Sequence, residues 1–298
     1  MPHMKEVDEY RMFTGKSEMH KAVNELAGLL VGISIDGRIL ESEFNELKMW
    51  YDMHRGLIRY HPFKEIIPAI DAALEDGVLD MEEAEDLIWL CNQLTSKGYY
   101  DLVTSAVQQL QGIMHGILAD NEINDDEIAG LREWLEINDF LKGTYPFDEV
   151  DSLLCSILAD GVVTDDERNT LKAFFSEFVD TKDSYNLTEA EVAALRERYS
   201  VTGICACDPE IEIKDHLFSI TGTSARATRD EIVEVITEHQ GMFSNGVTKK
   251  TQYLIVGAEG NPCWAFSCYG RKIEKAMEMR KNGSDISIVH ENDFWDVL

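Results

Sequence analysis

Two stretches decide the fold of the last third of the chain: His216-Leu-Phe-Ser-Ile-Thr-Gly-Thr223 and Val247-Thr-Lys-Lys-Thr-Gln-Tyr-Leu-Ile-Val-Gly257. Each contains a short, mostly apolar run that stops at or just before a glycine, as buried strands do. The predicted strands are Leu217–Ile220, Phe243–Ser244, Tyr253–Val256 and Ile286–Val289, and the predicted helices are Arg229–His239, Arg271–Lys281 and Asn292–Val297. This alternation predicts a parallel four-stranded sheet that is covered by helices on both faces.

The same motifs resemble the BRCT domain that ends bacterial NAD-dependent DNA ligases. In that family a strand ending in Thr-Gly precedes an Arg-bearing helix, and a Lys-Lys-Thr-x-Tyr-Leu-Val-Val-Gly strand precedes a Lys-x-x-Lys-Ala helix. The second helix reads Gly270-Arg-Lys-Ile-Glu-Lys-Ala276 in this chain. The resemblance implies a module that binds phosphate-bearing partners or other proteins without catalysing a reaction. None of the catalytic domains of a ligase fits in the remaining residues.

The resemblance also implies a phosphate site. In phosphate-binding BRCT domains, a hydroxyl and the next glycine amide meet a lysine at the start of a helix, and the matching residues here are Thr221, Gly222 and Lys272. Gly270 stands where such domains often have Ser or Thr. Three further cations would widen a basic patch: Arg271, Lys249 and Lys250. The other interpretation is that the Thr-Gly pair is only a turn of the fold and that the lysine is a surface residue.

The segment 261–270 is longer than its counterpart in the ligases and holds three aromatic residues, Trp264, Phe266 and Tyr269. Exposed aromatic side chains in a loop favour a partner surface or base stacking. The same side chains would equally suit packing over the sheet of their own module.

Charge is distributed unevenly along the 298 residues, whose net charge is −29. Residues 1–209 hold 17 Lys+Arg against 42 Asp+Glu, whereas residues 210–298 hold 10 against 14. Because so negative a surface repels the phosphates of nucleic acid, the N-terminal part is expected to bind DNA poorly by itself.

The acidic part repeats one pattern four times, at intervals of 40, 44 and 40 residues. The copies are Asp36-Gly-Arg-Ile-Leu-Glu-Ser-Glu43, Asp76-Gly-Val-Leu-Asp-Met-Glu-Glu83, Asp120-Asn-Glu-Ile-Asn-Asp-Asp-Glu127 and Asp160-Gly-Val-Val-Thr-Asp-Asp-Glu167. The second residue is suited to end a helix in the left-handed conformation. The fifth and eighth residues form a capping box for the next helix in three copies, whereas Leu40 lacks the capping oxygen in the first.

Helical spacing follows each copy and predicts an apolar stripe on the second helix of each hairpin. The stripes are Leu47, Trp50 and Tyr51; Leu87, Trp89 and Leu90; Leu131, Trp134 and Leu135; Leu171, Phe174 and Phe175. Residues from about 17 to 180 are therefore predicted to form four hairpins, or about eight helices. A ninth helix is expected to begin at Thr188-Glu-Ala-Glu191.

These hairpins resemble the TerB-like helical domains, which are built from Asp-Gly-x-Ile-x-x-x-Glu units. That resemblance implies, as an alternative to helix capping, metal binding by the first and eighth residues of each copy. They are Asp36, Glu43, Asp76, Glu83, Asp120, Glu127, Asp160 and Glu167. Because capping accounts for these carboxylates without a ligand, we expect neither a metal nor a cofactor.

The sequence predicts a multidomain protein: an all-α helical-hairpin repeat domain over residues 1–200, a linker over 201–213 and an α/β BRCT domain over 214–298. No P-loop, Gly-x-Ser-x-Gly or His-Glu-x-x-His motif occurs. We therefore expect a non-enzymatic adaptor in DNA repair, replication or mobile-element and defence functions. The alternative is a metal-ion or stress sensor that acts through the TerB-like half.

The expected partners of the BRCT domain are DNA ends or nicks, or a phosphoprotein, and the acidic domain is expected to bind a protein. No apolar run approaches the ~18 residues that a membrane span needs, so no membrane partner is expected. The six cysteines lack paired Cys-x-x-Cys spacing, which favours free thiols in a reducing bacterial cytoplasm.

Overall fold

The computed structural model describes residues 3–95, 100–158, 161–199, 205–206, 209–257 and 271–298. The chain divides into two compact units. The first, called the helical unit, comprises Met1–Asn138 and Val163–Tyr199, and the second, called the mixed unit, comprises Asp139–Val162 and Ser200–Leu298. Within the described ranges, no helix combines the length and the apolar character needed to cross a membrane.

Nine α-helices precede the first strand in the described residues. They are α1 (His3–Ser34), α2 (Glu41–His54), α3 (Phe63–Ala73), α4 (Met81–Leu94), α5 (Leu102–Ile117), α6 (Asp125–Ile137), α7 (Phe147–Ile157), α8 (Asp165–Phe175) and α9 (Glu189–Arg198). Short 3₁₀ turns occupy Arg55–Leu57, Asp139–Leu141 and Ser176–Phe178. The predicted helical organisation of this region, including the ninth helix, is confirmed.

The predicted capping chemistry is present at the start of α4, α6, α8 and α9. In each helix the capping side chain accepts a bond from the N–H three residues later, and the glutamate there accepts one from the cap residue: Asp80, Asn124, Thr164 and Thr188. The left-handed residues are also as predicted, with φ of +80° at Gly37 and +61° at Asn121. Local sequence therefore sets each turn.

The repeating unit is a pair of hairpins rather than one hairpin. Phe63 begins α3 and Phe147 begins α7, which is 84 positions later, and the same offset separates the starts of α2 and α6 and of α4 and α8. The peptide bonds before Pro62 and Pro146 are both cis. The four-helix stretch α1–α4 is therefore repeated in the chain as α5–α8.

Within the helical unit, α1 and α5 touch backbone to backbone. The contact is lined by four glycines: Gly28, Gly32, Gly112 and Gly116. A Cβ atom added to Gly112 would lie 2.2 Å from the carbonyl oxygen of Glu25. This distance is too short for any side chain to be placed there. Beside this contact, the buried Nδ2 of Asn24 donates to Oε1 of Gln108 at 2.7 Å. Only glycine allows the two helices to approach so closely.

Most of the predicted apolar stripes lie in the core, but Trp89 does not. Leu47, Leu87 and Leu171 are buried, whereas the side chain of Trp89 is 61% exposed. It stands two residues after Leu87, which turns it to the other side of α4, and Cys91 takes the buried place instead. The prediction of a core position for Trp89 was wrong because residues two positions apart in a helix point in nearly opposite directions.

The mixed unit contains the predicted parallel sheet. Its strands are β1 (Leu217–Thr221), β2 (Met242–Phe243), β3 (Tyr253–Val256) and β4 (Ser287–His290), and they lie in the order β2-β1-β3-β4. All three pairings are parallel. The helices are α10 (Arg229–Glu238), α11 (Arg271–Lys281) and α12 (Glu291–Asp296). One apolar cluster joins the sheet to α10 and α12, and another joins it to α11, so both faces are covered.

Helix α7 also belongs to the mixed unit and meets α11 through a buried ionic cluster. The guanidinium of Arg280 is 4% exposed and reaches Oδ2 of Asp148 at 3.2 Å and Oε2 of Glu149 at 3.3 Å. Its Nη1 donates to the carbonyl of Ile286 at 2.7 Å, just before β4. Burial raises the pKa of Asp148 and of Glu149 because it penalises their charged forms. One cation thus holds two buried carboxyl groups.

Substitution of Gly112 tests the helix contact. Gly112→Ala should destabilise the protein by about 3 kcal/mol or more, at the upper end of overpacking costs, because the new methyl group meets backbone that cannot move aside. Gly56→Ala is the matched control, since Gly56 has open space around its Cα. Urea denaturation of the full chain measures both. Equal stability of the two variants would contradict the close contact.

Removing Arg280 tests the buried ionic cluster. Arg280→Met leaves two buried carboxyl groups without their cation and should cost about 3–5 kcal/mol at pH 8. The loss should be smaller at lower pH, because protonation of the carboxyls, whose pKa values are raised, removes the unpaired charge. Arg132→Met is the control, because Arg132 pairs with Glu136 at 3.2 Å on the surface. A cost for Arg280→Met as small as that of the control would refute a stabilising cluster.

Candidate functional site

The end of β1 forms a tight turn beside the end of β3. Gly222 has φ of +76°, the left-handed region that glycine adopts without strain. The carbonyl of Thr221 accepts a bond from the N–H of Gly257 at 2.9 Å. A Cβ atom at Gly257 would lie 2.4 Å from the carbonyl oxygen of Thr223, so this second glycine lets the two strand ends meet. Both glycines are needed for the backbone shape of the turn.

Two cations converge on this turn. Nζ of Lys272, at the start of α11, donates to the carbonyl of Ile220 at 2.6 Å. Nη2 of Arg229, at the start of α10, reaches the same carbonyl at 3.4 Å. Burial, followed by the charge of Arg229, lowers the pKa of Lys272. Neither cation has a carboxylate partner in the part of the chain that the structure describes.

The predicted core of the site therefore comes together in space. Thr221 ends β1 and Gly222 follows it, and the carbonyl of Ile220, just before Thr221, accepts the bond from Lys272. Thr221 is 7% exposed. Arg229 was not predicted as a site residue, although the family motif has an arginine in this helix. The sequence does show that it lies directly after Thr228, the N-cap residue whose capping box sets the start of α10.

The other predicted cations lie elsewhere or are not described. Lys249 and Lys250 are exposed in the turn before β3. Because β1 and β3 are parallel, with Phe218 opposite Tyr253 and Thr221 opposite Val256, that turn lies at the opposite edge of the sheet. The side chain of Arg271 lies outside the described residues. The aromatic residues Trp264, Phe266 and Tyr269, and Gly270 just before α11, also lie outside them.

The repeat carboxylates fall into two classes. In the second and fourth copies, Glu83 and Glu167 cap helices near the surface. In the first and third copies, Glu43 and Glu127 are 4% and 2% exposed. Nδ2 of Asn124 bonds Oδ2 of Asp36 at 3.1 Å, so the first and third turns meet within the helical unit.

Burial raises the pKa of Glu43 to about 7 and that of Glu127 to about 8. The nearby charges of Asp120 and Asp36 contribute to both increases in pKa. Within the described residues, no group of three or more His, Cys, Asp or Glu is arranged to hold a metal. Asp160 lies outside those residues, and Asp76 caps its own turn by accepting the N–H of Val78 at 3.0 Å.

Comparison with known proteins places the C-terminal region. Residues 210–298 match the BRCA1 C Terminus (BRCT) domain family. The DNA ligase of Mycoplasmopsis synoviae is 36% identical over 81 residues, which are 27% of this chain and 10% of the ligase. The DNA ligase of Roseiflexus sp. is 42% identical over 62 residues, which are 21% of this chain and 7% of the ligase.

The chain thus spans a tenth or less of the length of these ligases. No solved structure matches the chain. Residues 210–298 form a BRCT domain like that of DNA ligases, whereas the TerB-like resemblance of the helical half stays a prediction.

The buried glutamates should make stability depend on pH. A carboxyl whose pKa is about 8 when folded and near 4.5 when unfolded favours folding at low pH, and this contribution is lost as pH rises from about 4.5 to 8. Glu127→Gln keeps an acceptor for the cap but cannot ionise. Between pH 5 and 9, its melting temperature should therefore fall several degrees less than that of the wild type, at about 2–4 °C per kcal/mol. Glu83→Gln is the surface control. The same pH slope in wild type and Glu127→Gln would contradict the raised pKa.

Proposed function

We propose that this protein is a non-enzymatic adaptor of DNA metabolism whose BRCT domain binds a terminal phosphate at a DNA end or nick. The observation that carries the proposal is the pair of cations, Lys272 and Arg229, that meet at the carbonyl of Ile220 without a carboxylate partner in the described ranges. In a chain of net charge −29, acidic side chains are plentiful. Two adjacent cations without an acidic partner favour a bound anion.

The turn supplies the remaining donors for a phosphate. Thr221 offers a hydroxyl, and Gly222 offers an N–H that no side chain shields, both within two residues of the carbonyl that Lys272 reaches. Backbone and hydroxyl donors beside cations are the chemistry that recognises a phosphate monoester. The turn also has a purely structural use, so the proposal depends on the cations rather than on the turn alone.

A DNA end fits the proposal better than a long duplex. The relatives are named DNA ligases, and the match to them is confined to their BRCT region. The rest of the chain is strongly acidic, and it should repel an extended run of phosphates while hardly opposing one terminal phosphate held by short contacts. The acidic helical domain is in turn suited to a protein partner. The proposal covers repair, replication, and mobile-element or defence functions alike.

Binding of DNA ends by the full chain tests the proposal. Fluorescence anisotropy should show tighter binding to a short 5′-phosphorylated duplex than to the same duplex without the phosphate. Lys272→Glu should weaken binding of the phosphorylated duplex about tenfold or more, because a charge-assisted hydrogen bond of about 1.5–3 kcal/mol is replaced by repulsion. The dependence on salt should be shallow, since one phosphate releases about one counterion.

Lys249→Glu is the matched control, because it reverses the same charge at the opposite edge of the sheet. It should leave the preference for phosphate unchanged. Equal binding of phosphorylated and unphosphorylated duplexes by the wild type would overturn the proposal. Ligase or nuclease activity of the purified protein, abolished by a point substitution, would overturn its non-enzymatic part.

A further inference from the structure

We propose that Glu291 is a positioning residue for the phosphate site, a role that rests on the proposed function. Glu291 begins α12 directly after β4, and its side chain is fully buried. Its carboxylate accepts hydrogen bonds from the hydroxyl of Ser224 and, at 2.9 Å, from the N–H of Ala225. Both donors lie in the segment 222–228, called the site loop, which connects Gly222 to Arg229.

Ser224 extends this hydrogen-bond network to the rest of the site loop. Its Oγ, held by Glu291, accepts bonds from the N–H of Arg226 at 3.1 Å and of Ala227 at 3.2 Å. Thr228, the next residue, is the N-cap of α10, and Arg229 follows it. One buried carboxylate therefore fixes the path of the chain from the turn to the arginine.

The buried carboxylate of Glu291 requires hydrogen-bond donors. A carboxylate removed from water is strongly destabilised unless hydrogen bonds replace its hydration. Here the donors belong to a loop 66 and 67 positions away in sequence. Lys272 does not depend on this loop, because it stands on α11 and reaches the carbonyl of β1. Loss of Glu291 should thus displace Gly222 and Arg229 relative to a lysine that stays in place.

Positioning and charge predict opposite effects of the same substitution. If Glu291 acted only as a negative charge near the site, Glu291→Gln would tighten phosphate binding by removing repulsion. If it positions the loop, Glu291→Gln must weaken binding. A glutamine offers one acceptor oxygen where the loop presents two donors, so one of the two bonds is lost. If Glu291 only stabilised the fold, melting temperature would fall while the preference for phosphate stayed the same.

The test measures phosphate preference in the full chain, as the ratio of affinities for the phosphorylated and unphosphorylated duplexes. Glu291→Gln and Ser224→Ala should each lower that ratio about tenfold at a temperature where both variants remain folded. The double variant should be no worse than the stronger single variant, because the two side chains act as one unit. The control is Asp296→Asn, which removes a charge from an exposed position of the same helix.

Amide hydrogen exchange without DNA gives an independent readout. Glu291→Gln should increase exchange at Ala225, Arg226 and Ala227, whereas Asp296→Asn should not. An unchanged ratio in Glu291→Gln, with Lys272→Glu still losing the preference, would overturn the positioning role and leave the proposed function standing. A wild type without any preference would overturn the proposed function, and the exchange result would then decide whether Glu291 holds the loop.

Discussion

The backbone contact between α1 and α5 sets the arrangement of the helical unit. Because the four glycines leave no room for side chains, the two helices meet at a fixed depth and register. Each helix runs into the turn of its own hairpin, so the contact brings the first and third turns together, where Asn124 bonds Asp36. The burial of Glu43 and Glu127 follows from that meeting, whereas Glu83 and Glu167 stay near the surface. One pattern, repeated four times, thus acquires two chemical environments.

Buried carboxylates fasten distant segments in both units. In the helical unit, Glu46 is 1% exposed and accepts from the hydroxyl of Ser184 at 2.7 Å and from the N–H groups of Tyr185 and Asn186. These donors and the neighbouring His115 favour its charged form and lower its pKa against the opposing effect of burial. Glu291 does the same for the site loop. In each case the carboxylate accepts hydrogen bonds from donors that the loop cannot satisfy by itself. These bonds hold the loop in one conformation.

The sequence predicted what is decided locally. The capping boxes, the left-handed turn residues and the strand runs depend on neighbours within a few positions, and Thr164 or Gly37 serves as expected. The trio of Thr221, Gly222 and Lys272 was implied by the resemblance to BRCT domains. The topology explains why they lie close together, because parallel strands with helical connections bring strand ends and helix starts to one edge. The hydrogen bonds of Glu46 and Glu291 were not predictable, since a buried acceptor and a solvated surface glutamate look alike in sequence. The 84-residue repeat was visible only as intervals of 40 and 44 until the helix bounds showed equivalent positions.

The topology of the BRCT domain is compatible with the proposed binding of an anion by an acidic chain. In a parallel sheet, each helix that follows a strand starts at the carboxyl edge, so α10 after β1 and α11 after β3 bring their positive ends there. Arg229 and Lys272 stand at those starts, which concentrates charge from two elements on a few ångströms of surface. The large negative charge of residues 1–209 acts over longer distances and is screened within about 8–10 Å at physiological salt. A ligand that touches only this edge meets the local cations, whereas a long duplex carries many further phosphates that the net negative charge of the chain repels. Selection of a phosphate at an end over phosphates within a long duplex can therefore arise from charge placement alone, without any contact to the bases.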